Sequence, residues 1–158
     1  MAMNIKTQDE VLARGLELVG YDADGQAHVK RDTLVQRYRS HFGPNPRVHA
    51  ILWSVLQSTE IAGAELAETE RTDKLFNMFL MTMYYLKTYN LESEVASRFG
   101  IHEQTVRKWT AFFINKIAPL IAEYVVWPDQ WDTTFIISVD CVNFAVNEPQ
   151  HPILHKQK

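Results

Sequence analysis

The sequence predicts a mainly α-helical protein, in which a multi-helix bundle contains a helix-turn-helix and is followed by a short C-terminal β-strand or hairpin. Three features of the sequence support this prediction. Apolar residues recur every three or four positions along most of the chain, which is the period of a helix with one buried face. Two short helical patterns separated by a glycine occupy residues 92–111. The helical period is absent from residues 134–146, which are rich in β-branched and aromatic side chains.

Length and composition are those of a globular protein. The chain has 158 residues, of which 46% are hydrophobic and 22% charged, enough for one domain with a core or for two small domains. The formal net charge of −3 counts against a protein that coats DNA with a uniformly basic surface. Five cationic residues accompany three acidic ones in residues 84–116, whereas three accompany five in residues 44–75. The local basic excess therefore coincides with the helix-turn-helix.

Targeting features are missing from the sequence. The N-terminus has no apolar h-region of a secretory signal, and no apolar run is long enough to span a bilayer. The single cysteine, Cys141, has no partner for an intrachain disulfide, which fits a reducing compartment. We therefore expect an intracellular protein without a membrane partner.

The first half of the chain is predicted to contain three helices. The first two cover Gln8–Val19 and Lys30–Phe42, with a solvated turn at residues 22–25 between them. The third begins at Pro46, because Asn45 is a favoured N-cap and proline is favoured at the first helical position. Residues 58–72 are small and acidic, and we expect an irregular or weakly helical connector there. The expected inward side chains are Val11, Leu12, Leu16, Val19, Leu34, Val35, Tyr38, Phe42, Val48, Ile51, Leu52, Val55 and Leu56.

The helix predicted over residues 74–89 is the most apolar in the sequence. Its apolar residues cover more than one stripe, so it is expected to be the central buried helix. It would support the helix-turn-helix as the first member of a three-helix unit. The apolar pattern of the last predicted helix runs from Trp109 to Ile121, and Pro119 is expected to kink that helix or to mark the start of a new one.

The helix-turn-helix pattern of residues 92–111 has a defined register. Val95 and Ala96 lie on the inward face of its first helix, and Gly100 follows where a left-handed backbone conformation is least costly for glycine. Val106 and Trp109 are expected to face inward on the second helix. The outer face, which enters the major groove in DNA-binding proteins of this kind, then carries His102, Glu103, Gln104, Arg107 and Lys108. The same pattern occurs in plain helical bundles, so packing without DNA binding is the alternative.

A single carboxylate follows the predicted C-terminal strand. Residues 135–139 form a continuous apolar run that suits a buried strand, and Asp140 ends it. Burial of an unpaired carboxylate costs several kcal/mol by order of magnitude, and a bound Mg²⁺ would offset that cost. Considered alone, however, Asp140 is better explained as a residue that caps a turn or lies exposed at the strand end.

Four stretches of the sequence together resemble a known protein family. They read HFGPNPRVHAILWSVL, MYYLKTYNLESEVASRFGIHEQTVRKW, VVWPDQW and IISVDCVNFAVNEP. From about Leu34 onward the chain resembles the N-terminal part of a DDE transposase of the Harbinger/PIF type. The resemblance implies a helical DNA-binding region at residues 1–128, with the start of an RNase H-like catalytic domain at residues 129–158. It further implies a nuclear location, double-stranded DNA as partner, and Asp140 as the first of three acidic Mg²⁺ ligands in a complete family member.

Two departures from the family pattern limit what the resemblance implies for activity. The family requires a second Asp and a Glu from later elements, and we find no counterpart of either after Asp140 in the sequence. Cys141 stands where glycine is common in the family. We therefore expect the chain to be a truncated DNA-binding fragment of a transposase-like protein, with no bound cofactor and no strand-cleaving activity of its own. The alternatives are a protein-interaction or assembly fragment that forms a homo-oligomer, an inert relic without DNA binding, and a Mg²⁺-dependent nuclease that would need ligands beyond Asp140.

Overall fold

The chain folds into seven α-helices in the computed structural model, which describes residues 6–58 and 69–120. The helices are α1 Gln8–Leu18, α2 Ala23–Gln26, α3 Arg31–Phe42, α4 Pro46–Ser58, α5 Thr69–Thr88, α6 Glu92–Phe99 and α7 Glu103–Ile117. The mainly α-helical fold class is therefore confirmed. The predicted C-terminal strand, the predicted domain boundary at residue 128 and Asp140 lie outside the described residues.

Helix ends follow the local cap chemistry. The Thr7 hydroxyl accepts a hydrogen bond from the Glu10 backbone N–H, and the Glu10 carboxylate accepts one from the Thr7 N–H, which completes a capping box at the start of α1. The Asn45 side chain accepts a hydrogen bond from the Arg47 N–H at 2.9 Å, so the predicted N-cap of α4 is confirmed. α7 ends at Ile117, just before Pro119, as the sequence predicts.

Two predicted connections contain more helix than expected. Residues 22–25 were expected to be a turn, but α2 forms one helical turn there, because the Asp22 side chain accepts a hydrogen bond from the Asp24 N–H at 3.3 Å and caps it. α5 begins at Thr69 rather than at Lys74, so residues 69–72 are helical, which is one of the two alternatives predicted for the connector. Residues 59–68 of that connector lie outside the described residues.

The core is organised around α5, which packs against α3, α6 and α7. Phe76 and Phe79 of α5 meet Trp53 of α4 at ring-centroid distances of 5.1 and 5.4 Å. Phe113 of α7 lies 5.7 Å from Phe79 and 6.4 Å from Trp53. All four rings are buried. This aromatic cluster fixes α4 and α7 on the central helix, and the prediction that residues 74–89 are central is confirmed.

The buried face of α4 differs from the predicted one. Val48 and Ile51 were expected to face inward but are 49% and 54% exposed, whereas His49 and Trp53 are fully buried. The aromatic contacts of Trp53 turn that side of the helix toward α5, and the aliphatic stripe is displaced toward the surface. Of the other predicted inward residues, Leu34, Val35, Leu52 and Val55 are half-buried and the remainder are buried.

Ion pairs join the beginnings of three helices at one end of the bundle. Lys6 Nζ lies 2.7 Å from Asp73 at the start of α5, and an Arg31 guanidinium nitrogen lies 2.6 Å from Asp9, which connects the starts of α3 and α1. A helix of the length of α5 spans about 30 Å. The end of α5, from which α6 follows, is therefore remote from these charges.

His49 is a neutral histidine in the core. Its Nδ1 lies 2.7 Å from the Tyr38 hydroxyl, and its ring packs edge-on against Phe79 at 5.9 Å. Its Nε2 is buried and has no hydrogen-bond partner among the described residues. A charged imidazole would need a partner for a second N–H in this apolar site, and burial accordingly lowers the pKa of His49 from 6.5 to about 4.

We predict that the free energy of unfolding falls as the pH falls from 6.5 toward 4. In this range the unfolded chain binds a proton at residue 49 that the folded chain does not bind. The contribution of His49 to the free energy of unfolding is therefore present above pH 6.5 and is lost as the pH falls below it. Between pH 7.5 and 5.5 the loss from His49 alone is about 1.4 kcal/mol. Urea unfolding at both pH values measures this loss.

The control compares two histidine variants. The free energy of unfolding of His49→Gln should depend less on pH than that of the parent, whereas His28→Gln, which replaces an exposed histidine, should keep the pH dependence of the parent. Equal slopes in the parent and in His49→Gln would contradict the prediction.

Candidate nucleic-acid interface

The bend between α6 and α7 depends on Gly100. This residue has φ 63° and ψ 36°, the left-handed conformation predicted for it. The Ala96 carbonyl accepts hydrogen bonds from the N–H groups of Gly100 and of Ile101, the latter at 3.0 Å, and these bonds end α6. Ile101 is half-buried against the core. The predicted helix-turn-helix of residues 92–111 is thus present in the structure, with its turn where the sequence places it.

The inner face of α7 attaches the helix to the core. Val106, Thr110 and Phe113 are buried along one stripe, as are Val95 and Ala96 on α6. The inward position predicted for Val106 is confirmed. Trp109 is half-buried at the rim of this stripe, where its ring lies 5.3 Å from Phe112 and 6.1 Å from Phe113. The sequence-based reasoning did not include Thr110, although its position four residues after Val106 and three before Phe113 indicates the same face.

The start of α7 is fixed by His102. This residue is the N-cap, and its Nδ1 accepts a hydrogen bond from the Gln104 N–H at 3.3 Å. Its carbonyl accepts hydrogen bonds from Thr105 and Val106. His102 was proposed from the sequence as a DNA-contacting residue, and the structure shows that its ring also orients the first turn of the helix. Glu103 follows, where a carboxylate interacts favourably with the N-terminal helix dipole.

The outer face of α7 is open to solvent. All five residues proposed from the sequence as DNA contacts are exposed, and they share the first part of this face. The face continues with Ala111, Ile114 and Asn115, which are exposed at helical spacing. The structure thus brings the five candidates together on one surface that no other described helix covers.

The two cations on this face have different surroundings. Arg107 pairs with Glu92 in the first turn of α6: Arg107 Nε lies 3.1 Å from both carboxylate oxygens, and Nη2 lies 2.6 Å from Oε2. The hydrogen bonds between the two side chains, together with the attraction of their opposite charges, lower the pKa of Glu92 and raise that of Arg107. Lys108 instead lies with its ammonium 5.3 Å from the centre of the Trp109 ring, a cation–π geometry. The sequence-based reasoning missed Glu92, since the partners are joined only by the bend at Gly100.

Arg98, the cation of α6, points away from the face of α7. Its guanidinium lies 5.6 Å from the Tyr84 ring centre and donates a 3.4 Å hydrogen bond to the Val19 carbonyl. It therefore holds α6 against α5 and the end of α1. The charge available on the exposed face of α7 comes from Arg107 and Lys108, with Glu103 opposing them.

Metal ligation and membrane insertion have no support in the described part of the chain. No cluster of three histidine, cysteine or acidic side chains is arranged there to bind a metal ion. The candidate metal ligand Asp140 lies outside the described residues. None of the described helices has the length and apolar character needed to cross a bilayer.

Comparison with protein families connects this geometry to a known group. Residues 74–119, which contain α6, α7 and most of α5, match a family model described as the helix-turn-helix of DDE superfamily endonuclease. This match confirms the helix-turn-helix and relates this region to the DDE superfamily endonucleases. Comparison with curated proteins and with solved structures gave no significant match.

We predict that Gly100→Ala destabilises the fold by about 1 kcal/mol, because an L side chain is strained at this positive φ. A Cβ added at Gly100 would meet no atom within 4 Å, so the loss reports the backbone conformation alone. Gly25→Ala is the matched control: its Cβ also meets nothing, and its φ is not positive. Urea unfolding should show no loss for the control and a smaller loss for Gly100→Asn than for Gly100→Ala. Similar stabilities for the two alanine variants would contradict the role assigned to Gly100.

Proposed function

We propose that this chain binds double-stranded DNA with the outer face of α7, as the DNA-binding part of a transposase-like protein. The observation that carries the proposal is an uncovered polar helix face on the second helix of a helix-turn-helix, in a region that matches the helix-turn-helix of DDE superfamily endonucleases. A helix with its side chains is 10–12 Å wide, and the major groove of B-DNA is about 12 Å wide. The dimensions therefore suit insertion of α7 into the groove.

The attachment of α7 supports reading of DNA by a rigid helix. Val106 and Phe113 are fully buried, and Phe113 belongs to the aromatic cluster on α5. Side chains on a packed helix hold their positions better than side chains on a loop. The outer face of α7 is thus presented in one fixed orientation.

The residues at the start of α7 have distinct roles in the proposal. Gln104 is suited to adenine, whose N6 and N7 can pair with a side-chain amide, and Arg107 is suited to the O6 and N7 of guanine. Lys108 would neutralise a phosphate as a point charge. Glu103 repels phosphate and would accept a hydrogen bond only from a base amino group such as cytosine N4. His102 would contact DNA next to the helix start that it caps.

The finer family assignment is also a proposal. The Harbinger/PIF type rests on the sequence resemblance, and with it Asp140 becomes the first of three acidic residues that bind Mg²⁺ in a longer protein. This role of Asp140 rests on the sequence resemblance alone. A nuclear location belongs to this same proposal.

We predict that the double variant Arg107→Ala, Lys108→Ala weakens duplex binding and makes it less dependent on salt. Each phosphate contact contributes about 0.9 to the slope of log K against log[salt], so the loss of the Lys108 contact lowers the slope by about 0.9. The loss of Arg107 removes a base contact and lowers the affinity for the preferred sequence. Fluorescence anisotropy with a labelled duplex at several salt concentrations between about 50 and 200 mM measures both effects.

The matched control for this prediction is the double variant Lys30→Ala, Lys74→Ala. Both lysines are exposed and lie at the end of the bundle where α3 and α5 begin, so the control removes the same charge away from α7. It should bind DNA with the affinity and slope of the parent. The proposed function fails if the two double variants and the parent bind equally at every salt concentration.

A further inference from the structure

The contact between Glu92 and Arg107 has the geometry of a side-on pair. The carboxylate faces the edge of the guanidinium formed by Nε and Nη2, with distances of 3.1, 3.1 and 2.6 Å. Nη1 has no hydrogen-bond partner among the described residues. The end of the guanidinium, where Nη1 and Nη2 present two parallel N–H groups, therefore stays available for another planar acceptor.

The available end of Arg107 matches one base in particular. Guanine presents O6 and N7 side by side in the major groove, and an arginine that donates one N–H to each reads that base. Adenine presents N7 beside an amino group, so it cannot accept from both nitrogens. An arginine already held in one orientation loses less side-chain freedom when it binds than an unrestrained arginine does.

We propose that Glu92 is a specificity-determining positioning residue, which holds Arg107 side-on so that its free end selects guanine in the major groove. The inference rests on the proposed function, since it assigns a role within the same DNA-binding face. Glu92 itself touches no base in this proposal and acts through Arg107.

Stabilisation of the fold does not account for this pair. The side chains of Arg107 and Glu92 are 68% and 29% exposed, and ion pairs between exposed side chains contribute little to folding stability. The pair lies at the rim of the bend, outside the buried stripe of α7. Its removal should therefore leave thermal unfolding nearly unchanged, which separates the proposed role from a structural one.

A competing role for Glu92 predicts the opposite effect on specificity. A carboxylate beside Arg107 also opposes phosphate and occupies donors that would otherwise contact the DNA backbone. If that were its main effect, removal of Glu92 would tighten binding to every duplex by the same factor. The positioning role instead changes the ratio between duplexes, because phosphate contacts carry no sequence information.

The test compares Glu92→Ala with the matched control Glu94→Ala. Glu94 is exposed in the same first turn of α6, and its carboxylate has no hydrogen-bond or ion-pair partner among the described residues. Both variants therefore lose one negative charge. A preferred duplex is first selected by the parent chain from a random-sequence pool. The specificity ratio is then the Kd for a scrambled duplex divided by the Kd for the preferred one, measured for each chain. The Kd of each chain is also measured for variants of the preferred duplex in which one guanine at a time is replaced by 7-deazaguanine, which lacks the N7 acceptor.

The expected result is a fall of about tenfold in the specificity ratio of Glu92→Ala, with the ratio of Glu94→Ala unchanged. One 7-deazaguanine position should weaken the parent strongly and Glu92→Ala much less. An unchanged ratio in Glu92→Ala, an equal fall in Glu94→Ala, or a parent that prefers no sequence would overturn the inference. These outcomes leave the proposed function standing as long as Arg107→Ala, Lys108→Ala still weakens binding, whereas parent-like binding by that double variant removes the proposed function itself.

Discussion

The structure depends on the burial of Phe79 at the centre of α5. Its ring lies 5.4 Å from Trp53, 5.7 Å from Phe113 and 5.9 Å from His49, so it connects α4 and α7 through one side chain. Aromatic pairs at these separations bury a large apolar area and add about 0.5–1.5 kcal/mol each beyond that area. Because these contacts fix the rotation of α7 about its axis, they also decide which residues of α7 are left to solvent.

The exposed face of α7 is thus a consequence of packing. Once Val106 and Phe113 are buried, helical geometry places Gln104 and Lys108 on the opposite side and Arg107 on the flank of the helix. The left-handed backbone at Gly100 then sets where α7 begins relative to α6. A helix held at both its inner face and its first turn has little freedom to reorient, and this rigidity is what a reader of the major groove needs.

The elements predicted correctly from the sequence are those whose signals are local. Cap residues such as Asn45, the glycine at the bend and the apolar period of α5 act within a few residues, so the sequence displays them directly. The face predicted for α4 was wrong at Val48 and Ile51, because the rotation of this helix is set by aromatic rings on α5 that the sequence of α4 does not reveal. The pairing of Glu92 with Arg107 was missed for a related reason: it connects two helices and exists only once the bend has formed. The role of Asp140 stays a prediction.

The acidic balance of the chain bears on how such a face would recognise DNA. A net charge of −3 gives little long-range attraction to a polyanion, and the face of α7 offers only two exposed cations. The affinity gained from counterion release grows with the number of phosphates that the protein neutralises. With few cations, the sequence-independent part of the binding free energy is therefore small. Discrimination between sequences must then come from a few short-range contacts whose geometry is fixed before binding. Among the described residues of this face, Arg107 is the side chain whose orientation is set by a bidentate partner, and the geometry of its contact with Glu92 therefore matters more than the charge it removes.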